Sequence, residues 1–498
     1  MTLATLPVET AAPPRARENA SPLVVDLDGA LARSDLVAEA ALAYLRSSPL
    51  HLFTLLFWLV TGGREGLRRK LAARVEIDGA HLPLNAELVA LLERERAGGR
   101  AVYLATSADA PFAAGVAGRL GFVDGVIASD GASDFTAERR ARALSQRFPE
   151  GFAYAGSGRA DLAVWRAASE SVVVGASSSV RKASEAIRPA ATVVARKRVS
   201  FRAVLKAARV HQWAKNGLVF VPMVLGGRAF DPSAWAVVGA GFLCLGVLAS
   251  ATYLLNDLWD IEDDRRHWSK RERAFASGRL PITAGLVAAP LGISIALGGA
   301  ALIGPAAFAS LVCYLVITLA YSFRLKKVAV LDVFTLASLF TLRLVIGIAL
   351  AQVMASPWLL VFSMFVFSSL SFAKRHTEMV RVARSGGNKA AGRGYVAADA
   401  PFLIGMGVAT GMSAVLVMVL YLINEAFRAG FYATPGFLWT FPCVLFLWLG
   451  RVWVLSGRDE LNDDPVAFAV KDGPSILLGL VMALAFAAAV TPARYALW

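Results

Sequence analysis

Asn256-Asp257-Leu258-Trp259-Asp260-Ile261-Glu262-Asp263-Asp264 follows directly on the long apolar run 235–255 and sets four aspartates within nine residues. Asn256, Asp260 and Asp264 recur at i, i+4 and i+8, so on a helix they line one face, with Asp257 beside them. Carboxylates crowded at the mouth of a membrane helix repel one another unless a cation neutralises them. The stretch therefore reads as a magnesium site that holds a diphosphate at the membrane surface. The basic run Arg265 to Arg279 supplies matching anion contacts.

Working outward, the 498 residues divide by hydropathy. Up to Arg209, short apolar runs alternate with charged stretches, as in a soluble α/β domain. Beyond Trp213 come nine apolar blocks: 216–230, 234–256, 282–302, 304–323, 329–351, 357–373, 401–423, 436–455 and 474–492. The predicted architecture is thus a doubly wound α/β domain followed by an all-α polytopic bundle of nine transmembrane helices. Its segments are a flexible tail at 1–20, the α/β domain at 21–190, a linker and basic amphipathic interfacial helix at 191–213, and the membrane domain at 214–498.

The net charge of +14 fits cytosolic loops and anionic lipid better than nucleic acid, so no nucleic-acid partner is expected. Lys and Arg concentrate after the second, fourth, sixth and eighth blocks. The positive-inside rule then predicts a multi-pass protein of the inner (plasma) membrane. The acidic stretch and the N-terminal domain face the cytosol, and the C-terminus lies outside. Cys244, Cys313 and Cys443 all fall inside apolar blocks and suit packing rather than a disulfide or thiolate metal site. The sequence leaves open whether the protein is a homo-oligomer.

In the N-terminal part, strands are expected at 23–27, 101–105, 125–128, 151–155 and 171–174, with helical segments between most of them. In such parallel sheets ligands bind at the carboxyl ends of strands, where Asp26, Asp28 and Thr106 fall. An Asp-x-Asp pair after the first strand and a Thr after a later one resemble the haloacid dehalogenase (HAD) phosphatase superfamily. That resemblance implies Asp26 as nucleophile, Asp28 as general acid/base, Thr106 as phosphate-binding hydroxyl and Asp161 as a metal ligand. Two departures count against hydrolysis. Thr136 stands where a Lys is expected, and Ser157 replaces the first acid of G-D-x-x-x-D. The domain is therefore expected to be degenerate, with Arg139 and Arg140 the candidates to replace the lost cation. Leu50 to Val60 is too short to span a bilayer and reads equally as a cap core helix or as an interfacial helix followed by Arg64, Arg68, Arg69 and Lys70.

The membrane part, with N-D-x-x-D-x-x-x-D after its second block, resembles the UbiA-type prenyltransferase superfamily, and within it the decaprenyl-phosphate phosphoribosyltransferase branch. Several segments carry the resemblance: His211-Gln212-Trp213-Ala214-Lys215-Asn216, Lys270 to Gly278, Tyr321 to Lys326 with Leu331-Asp332, Lys374 to Glu378, and Asp464-Pro465 with Lys471-Asp472. Ala274 and His376 depart from the branch's Pro and Tyr.

The resemblance implies transfer of 5-phosphoribose from phosphoribosyl diphosphate (PRPP) to a polyprenyl phosphate of decaprenyl type, with Mg2+ held by Asp257, Asp260 and Asp264, while Asn256 orients a carboxylate or donates to the substrate. Substrate contacts would come from Lys215, Asn216, Lys270, Arg271, Arg273, Tyr321, Lys326, Asp332, Arg343, Lys374 and Arg375. Arg343, deep in a span, is equally a structural partner for a buried acid or carbonyl. The product would feed arabinose or ribose donors of a cell envelope, and a neighbouring phosphatase could remove its 5-phosphate. Two other functions compete. A UbiA-type aromatic prenyltransferase would need a second aspartate-rich motif, but Lys374 to Tyr395 holds Glu378 and no Asp. A non-catalytic lipid-binding or transport protein would not need an intact acidic cluster.

Overall fold

The computed structural model describes residues 5–6, 21–75, 79–106, 110–128, 137–195, 199–267, 270–389, 392–430, 432–461, 468–469 and 471–490. The chain forms two compact units. One comprises 1–207 together with 257–288, and the other 208–256 together with 289–498.

The first unit is built on a seven-stranded sheet. Its strands are β1 (Thr5–Leu6), β2 (Leu23–Asp26), β3 (Val102–Thr106), β4 (Gly125–Ala128), β5 (Ala153–Gly156), β6 (Glu170–Val174) and β7 (Thr192–Val194), in the order β1-β4-β3-β2-β5-β6-β7. All pairings are parallel except β1 with β4. β2, at the centre, is buried along its whole length, as befits a strand covered on both faces by helices. The five expected strands are present. β1 lies in the stretch expected to be a tail, and β7 lies past residue 190, where linker was expected. Both add edge pairing to the sheet.

Of the three α-helices that precede β3, the first two form a hairpin and the third spans Ala86–Ala97. α1 (Leu36–Ser47) is capped by the Asp35 carboxylate, which accepts from the Val37 and Ala38 amides. α2 (His51–Ala72) packs Trp58, Leu67 and Leu71 against Ala40 of α1.

Among the described residues, eight helices, not nine, are long and apolar enough to cross a membrane. They include α3 (Pro232–Trp259), α4 (Ile282–Ile303), α5 (Pro305–Phe323), α6 (Leu331–Ala351) and α7 (Pro357–Arg384). The first expected block instead forms a 3-10 helix, Val210–Phe220, followed by the short α-helix Val221–Leu225. The expected amphipathic helix is likewise cut to Phe201–Ala207, because Arg209 takes a left-handed conformation at φ 51°.

Close packing holds the 3-10 segment against α6. A Cβ on Gly347 would lie 2.2 Å from the Val219 carbonyl oxygen. Gly347→Ala must therefore push backbone apart and should destabilise the protein by about 1–3 kcal/mol. Gly298→Ala, whose Cβ meets nothing within 4 Å, should be neutral or stabilising through helix propensity. Thermal unfolding in detergent of the two variants checks the contrast.

Candidate functional site

The acidic stretch does not form one continuous helix. α3 ends at Trp259, Asp260 sits at φ −90°, ψ 9°, and a short helix resumes over Ile261–Arg266. The single helical face expected of Asn256, Asp260 and Asp264 is thus broken at Asp260. Asp257 and Asp264 are buried, Asn256 and Asp260 are half-buried, and Asp263 is exposed.

Arg273, returning from the following loop, donates to Asp257 Oδ1 at 3.2 Å and to Asp264 Oδ2 at 2.8 Å. Phe275 sets this return: it is buried, and a Cβ on Gly285 would lie 2.6 Å from its ring. Burial pushes the Asp264 carboxyl up to about 6, with Arg273 opposing and Asp257 and Asp260 reinforcing the rise. Among the described residues no three His, Cys, Asp or Glu side chains converge as a ready-made metal cage. The donor set is all carboxylate oxygen, which suits a hard divalent cation. It would accommodate one with Arg273 moved off the two acids. Lys270 is half-buried and Arg271 exposed in the 3-10 turn Lys270–Glu272, just before Arg273.

The loop is gripped from α1. Arg265 makes a two-pronged pair with Glu39, at 2.5 and 3.1 Å, and both side chains are only 6% exposed. Its Nε donates to the Ala276 carbonyl. Arg46 pairs with Glu262 at 2.6 Å. Gly278, at φ +67°, has Arg33 Cβ 2.7 Å from where its own Cβ would be. Glu39 lies more than two hundred residues from Arg265 in a stretch with no motif, so only the fold reveals it.

A second cluster belongs to the membrane unit. Arg375 on α7 donates to Asp332 Oδ2 on α6 at 2.7 Å, to Glu378 at 2.7 Å and to the Tyr321 hydroxyl at 3.3 Å. Arg393 donates to the same hydroxyl at 2.9 Å and lies 3.7 Å from Asp332. Tyr321, Asp332 and Arg375 are thus brought together as the motifs suggested, joined by Glu378 and Arg393. Arg375 and Asp332 are at most 1% exposed and neutralise each other, so Arg375 is a pairing residue in this state. Asp332 Oδ1 is buried without a partner among the described residues. Lys326 is buried and Lys374 half-buried.

The opening motif is spent on packing. Trp213 donates to Ser250, Tyr253 donates to Gln212, and Lys215 lies over the Phe340 ring. Arg343 donates to Asn216 at 2.9 Å, to the Leu339 carbonyl at 2.6 Å and to Tyr314 at 3.1 Å. Of the two readings open for Arg343, the structure favours pairing within the protein. Asp464-Pro465 lies outside the described residues.

In the first unit, Asp26, Asp28, Thr106 and Asp161 gather at the carboxyl ends of β2, β3 and β5. Thr106 donates to Asp28 at 3.4 Å. Of the two candidate arginines, Arg140 reaches Asp26, at 2.9 Å, and lies 3.7 Å from Asp161. Asp161 accepts from Tyr154 and from the Ser157 and Gly158 amides. Burial pushes the Asp26 carboxyl well above the usual range despite Arg140. Thr136 lies outside the described residues.

The UbiA prenyltransferase family model matches residues 218–471, and the chain belongs to that family. It is similar to the uncharacterized protein y4nM of Sinorhizobium fredii, 39% identical over 474 residues, 94% of this chain and 91% of that one. It is also similar to the nodulation protein NoeC of Azorhizobium caulinodans, 34% identical over 294 residues, 58% of this chain and 94% of that one. The decaprenyl-phosphate phosphoribosyltransferase of Mycobacterium tuberculosis is 35% identical over 188 residues, 37% of this chain and 62% of that one. The protein is thus a multi-pass membrane transferase of the UbiA family.

Because Glu39 and Arg265 are buried together, removing one partner strands the other. Glu39→Gln should cost roughly 3–5 kcal/mol and loosen the loop after α3. Hydrogen exchange should show lost amide protection at 261–279, largely recovered in the swap Glu39→Arg with Arg265→Glu.

Proposed function

We propose that this protein transfers 5-phosphoribose from PRPP to a polyprenyl phosphate, giving polyprenyl-phospho-5-phosphoribose and diphosphate. The observation that carries the reading is the Tyr321–Asp332–Arg375 cluster, with Asp332 and Arg375 buried, assembled from segments that resemble the phosphoribosyltransferase branch; the similarity to the mycobacterial decaprenyl enzyme supports it.

The lipid phosphate is already an anion, so its oxygen can attack the anomeric carbon without a general base while the C–O bond to diphosphate breaks. Asp257, Asp260 and Asp264 supply hard oxygen donors for magnesium, which when bound neutralises charge on the departing diphosphate. Asn256 orients this carboxylate set. Arg273 exchanges its two carboxylates for diphosphate oxygens, and Lys270 and Arg271 add cationic contacts. Lys326 and Lys374 hold substrate phosphate, and Tyr321 orients a phosphate or ribose oxygen. Arg375, held by Asp332, fixes the Tyr321 hydroxyl together with Arg393, and Asn216, Lys215 and Arg343 brace the surrounding helices.

We place the acidic loop and the N-terminal domain in the cytosol, by the positive-inside rule, and the C-terminus outside. With both the N-terminal domain and the acidic loop placed in the cytosol, α3 alone between them leaves the count of crossings odd. On this reading a further crossing lies before α3. Eleven residues of 3-10 helix rise about 22 Å at about 2.0 Å each, and the five of Val221–Leu225 add about 8 Å. Together they match a hydrocarbon core of about 30 Å. We count this segment as the ninth crossing of the proposed topology.

We read the sheet pocket as HAD-like, with Arg140 in place of the missing lysine. It binds phosphate poorly suited to attack by Asp26, whose carboxyl is held toward its neutral form.

Purified protein given labelled PRPP, decaprenyl phosphate and magnesium should form labelled lipid. Asp257→Asn and Asp260→Asn should each lower the rate by at least about 100-fold while the fold is retained. Prenylation of an aromatic acid without lipid-linked label would reverse the assignment, and unchanged turnover in both variants would remove the metal site. Release of the 5-phosphate from the product by the full chain should stay at background. Robust release abolished by Asp26→Asn would make the N-terminal domain an active phosphatase.

A further inference from the structure

α2 shows two apolar stripes. The inner one, His51, Leu55 and Trp58, faces α1: His51 stacks on Tyr44 with centroids 3.9 Å apart, and Trp58 lies 5.3 Å from the same ring. The outer stripe, Phe53, Leu56, Phe57 and Val60, follows the i, i+3, i+4, i+7 spacing of a helix face and is exposed, Phe53 by 71%, Phe57 by 63% and Val60 by 84%. An apolar face of this size left to water marks a binding surface.

Three observations say what covers it. Eleven residues from Leu50 to Val60 rise about 16 Å, half of what a span needs. The helix then kinks at Gly63, φ +58°, into a basic turn: Arg69 is exposed, and Lys70 lies over the Phe57 and Trp58 rings at 6.0 and 5.6 Å. Finally, the preceding helix is tethered near the bilayer. Arg46, near the end of α1, holds Glu262, three residues past the last residue of membrane helix α3, and α2 begins five residues after Arg46.

We infer that α2 lies in the plane of the membrane interface, its outer stripe among the acyl chains and its basic turn on anionic headgroups. The occupant is the lipid surface itself. With α1 holding the acidic loop from above and α2 seated in lipid, the hairpin fixes the height of that loop over the bilayer. This reading depends on the protein's place in a membrane and not on which substrate it transfers.

The test uses the full chain, with Cys244, Cys313 and Cys443 replaced, at one copy per nanodisc of phosphatidylethanolamine and phosphatidylglycerol. Single cysteines at Phe57, at Val60 and at the exposed control Glu150 carry an environment-sensitive fluorophore. These side chains are exposed, and an unchanged thermal unfolding midpoint of each variant verifies the fold. Doxyl-labelled lipids should quench the probes at 57 and 60 several-fold more than the probe at 150, with iodide showing the reverse order. Probes at 57 and 60 that behave like the control would overturn the inference. So would protection from iodide seen only when two copies share a disc, which would assign the stripe to a second chain.

Discussion

A charge placed in apolar surroundings needs a partner, and this requirement orders both units of the protein. Arg375 and Asp332 lie fully buried at 2.7 Å, Arg343 is shared among Asn216, a carbonyl and Tyr314, and Arg265 closes on Glu39. Stranding one member of such a pair costs several kcal/mol, whereas the intact pair adds little net stability. These pairs therefore act less as sources of stability than as constraints on which helices and loops can be neighbours. Asp332 can be buried at the start of α6 only if α7 presents Arg375 there.

The same rule explains the resting state of the acidic loop. Asp257 and Asp264 cannot remain buried and ionised beside each other without a cation, and Arg273 provides one. A metal–diphosphate entering under the proposed function brings positive charge for the acids and negative charge for the arginine. The swap exchanges one set of charge-assisted bonds for another.

Much of the fold was legible because its signals are local. Alternating strand and helix patterns placed five strands, and long apolar runs placed eight membrane helices. Tyr321, Asp332 and Arg375, singled out from separate motifs, lie in one cluster. What escaped depends on backbone geometry or distant partners. Residues 210–220 have a composition that suits a membrane α-helix, but close approach to Gly347 accompanies a narrower 3-10 coil. The turn at Asp260 breaks a spacing that is helical on paper. Arg140 was one of two neighbours on a basic helix, and only the strand ends decide which reaches Asp26.

Pairing also sorts the basic run after the acidic stretch, which by sequence looked like a uniform band of anion contacts. Arg265 is committed to Glu39 and the Ala276 carbonyl, inside the protein. Arg279 lies 3.7 Å from Glu272 and donates to Ser277. Lys270, Arg271 and Arg273 remain on the turn that faces the acids through Arg273, and these are the three cations of the K-R-x-R segment. Glu39 of α1 makes this division possible: by burying Arg265, it commits the front of the cationic loop to the protein interior. Of the cations behind Arg265, Arg273 is the one that meets the carboxylates, at Asp257 and Asp264.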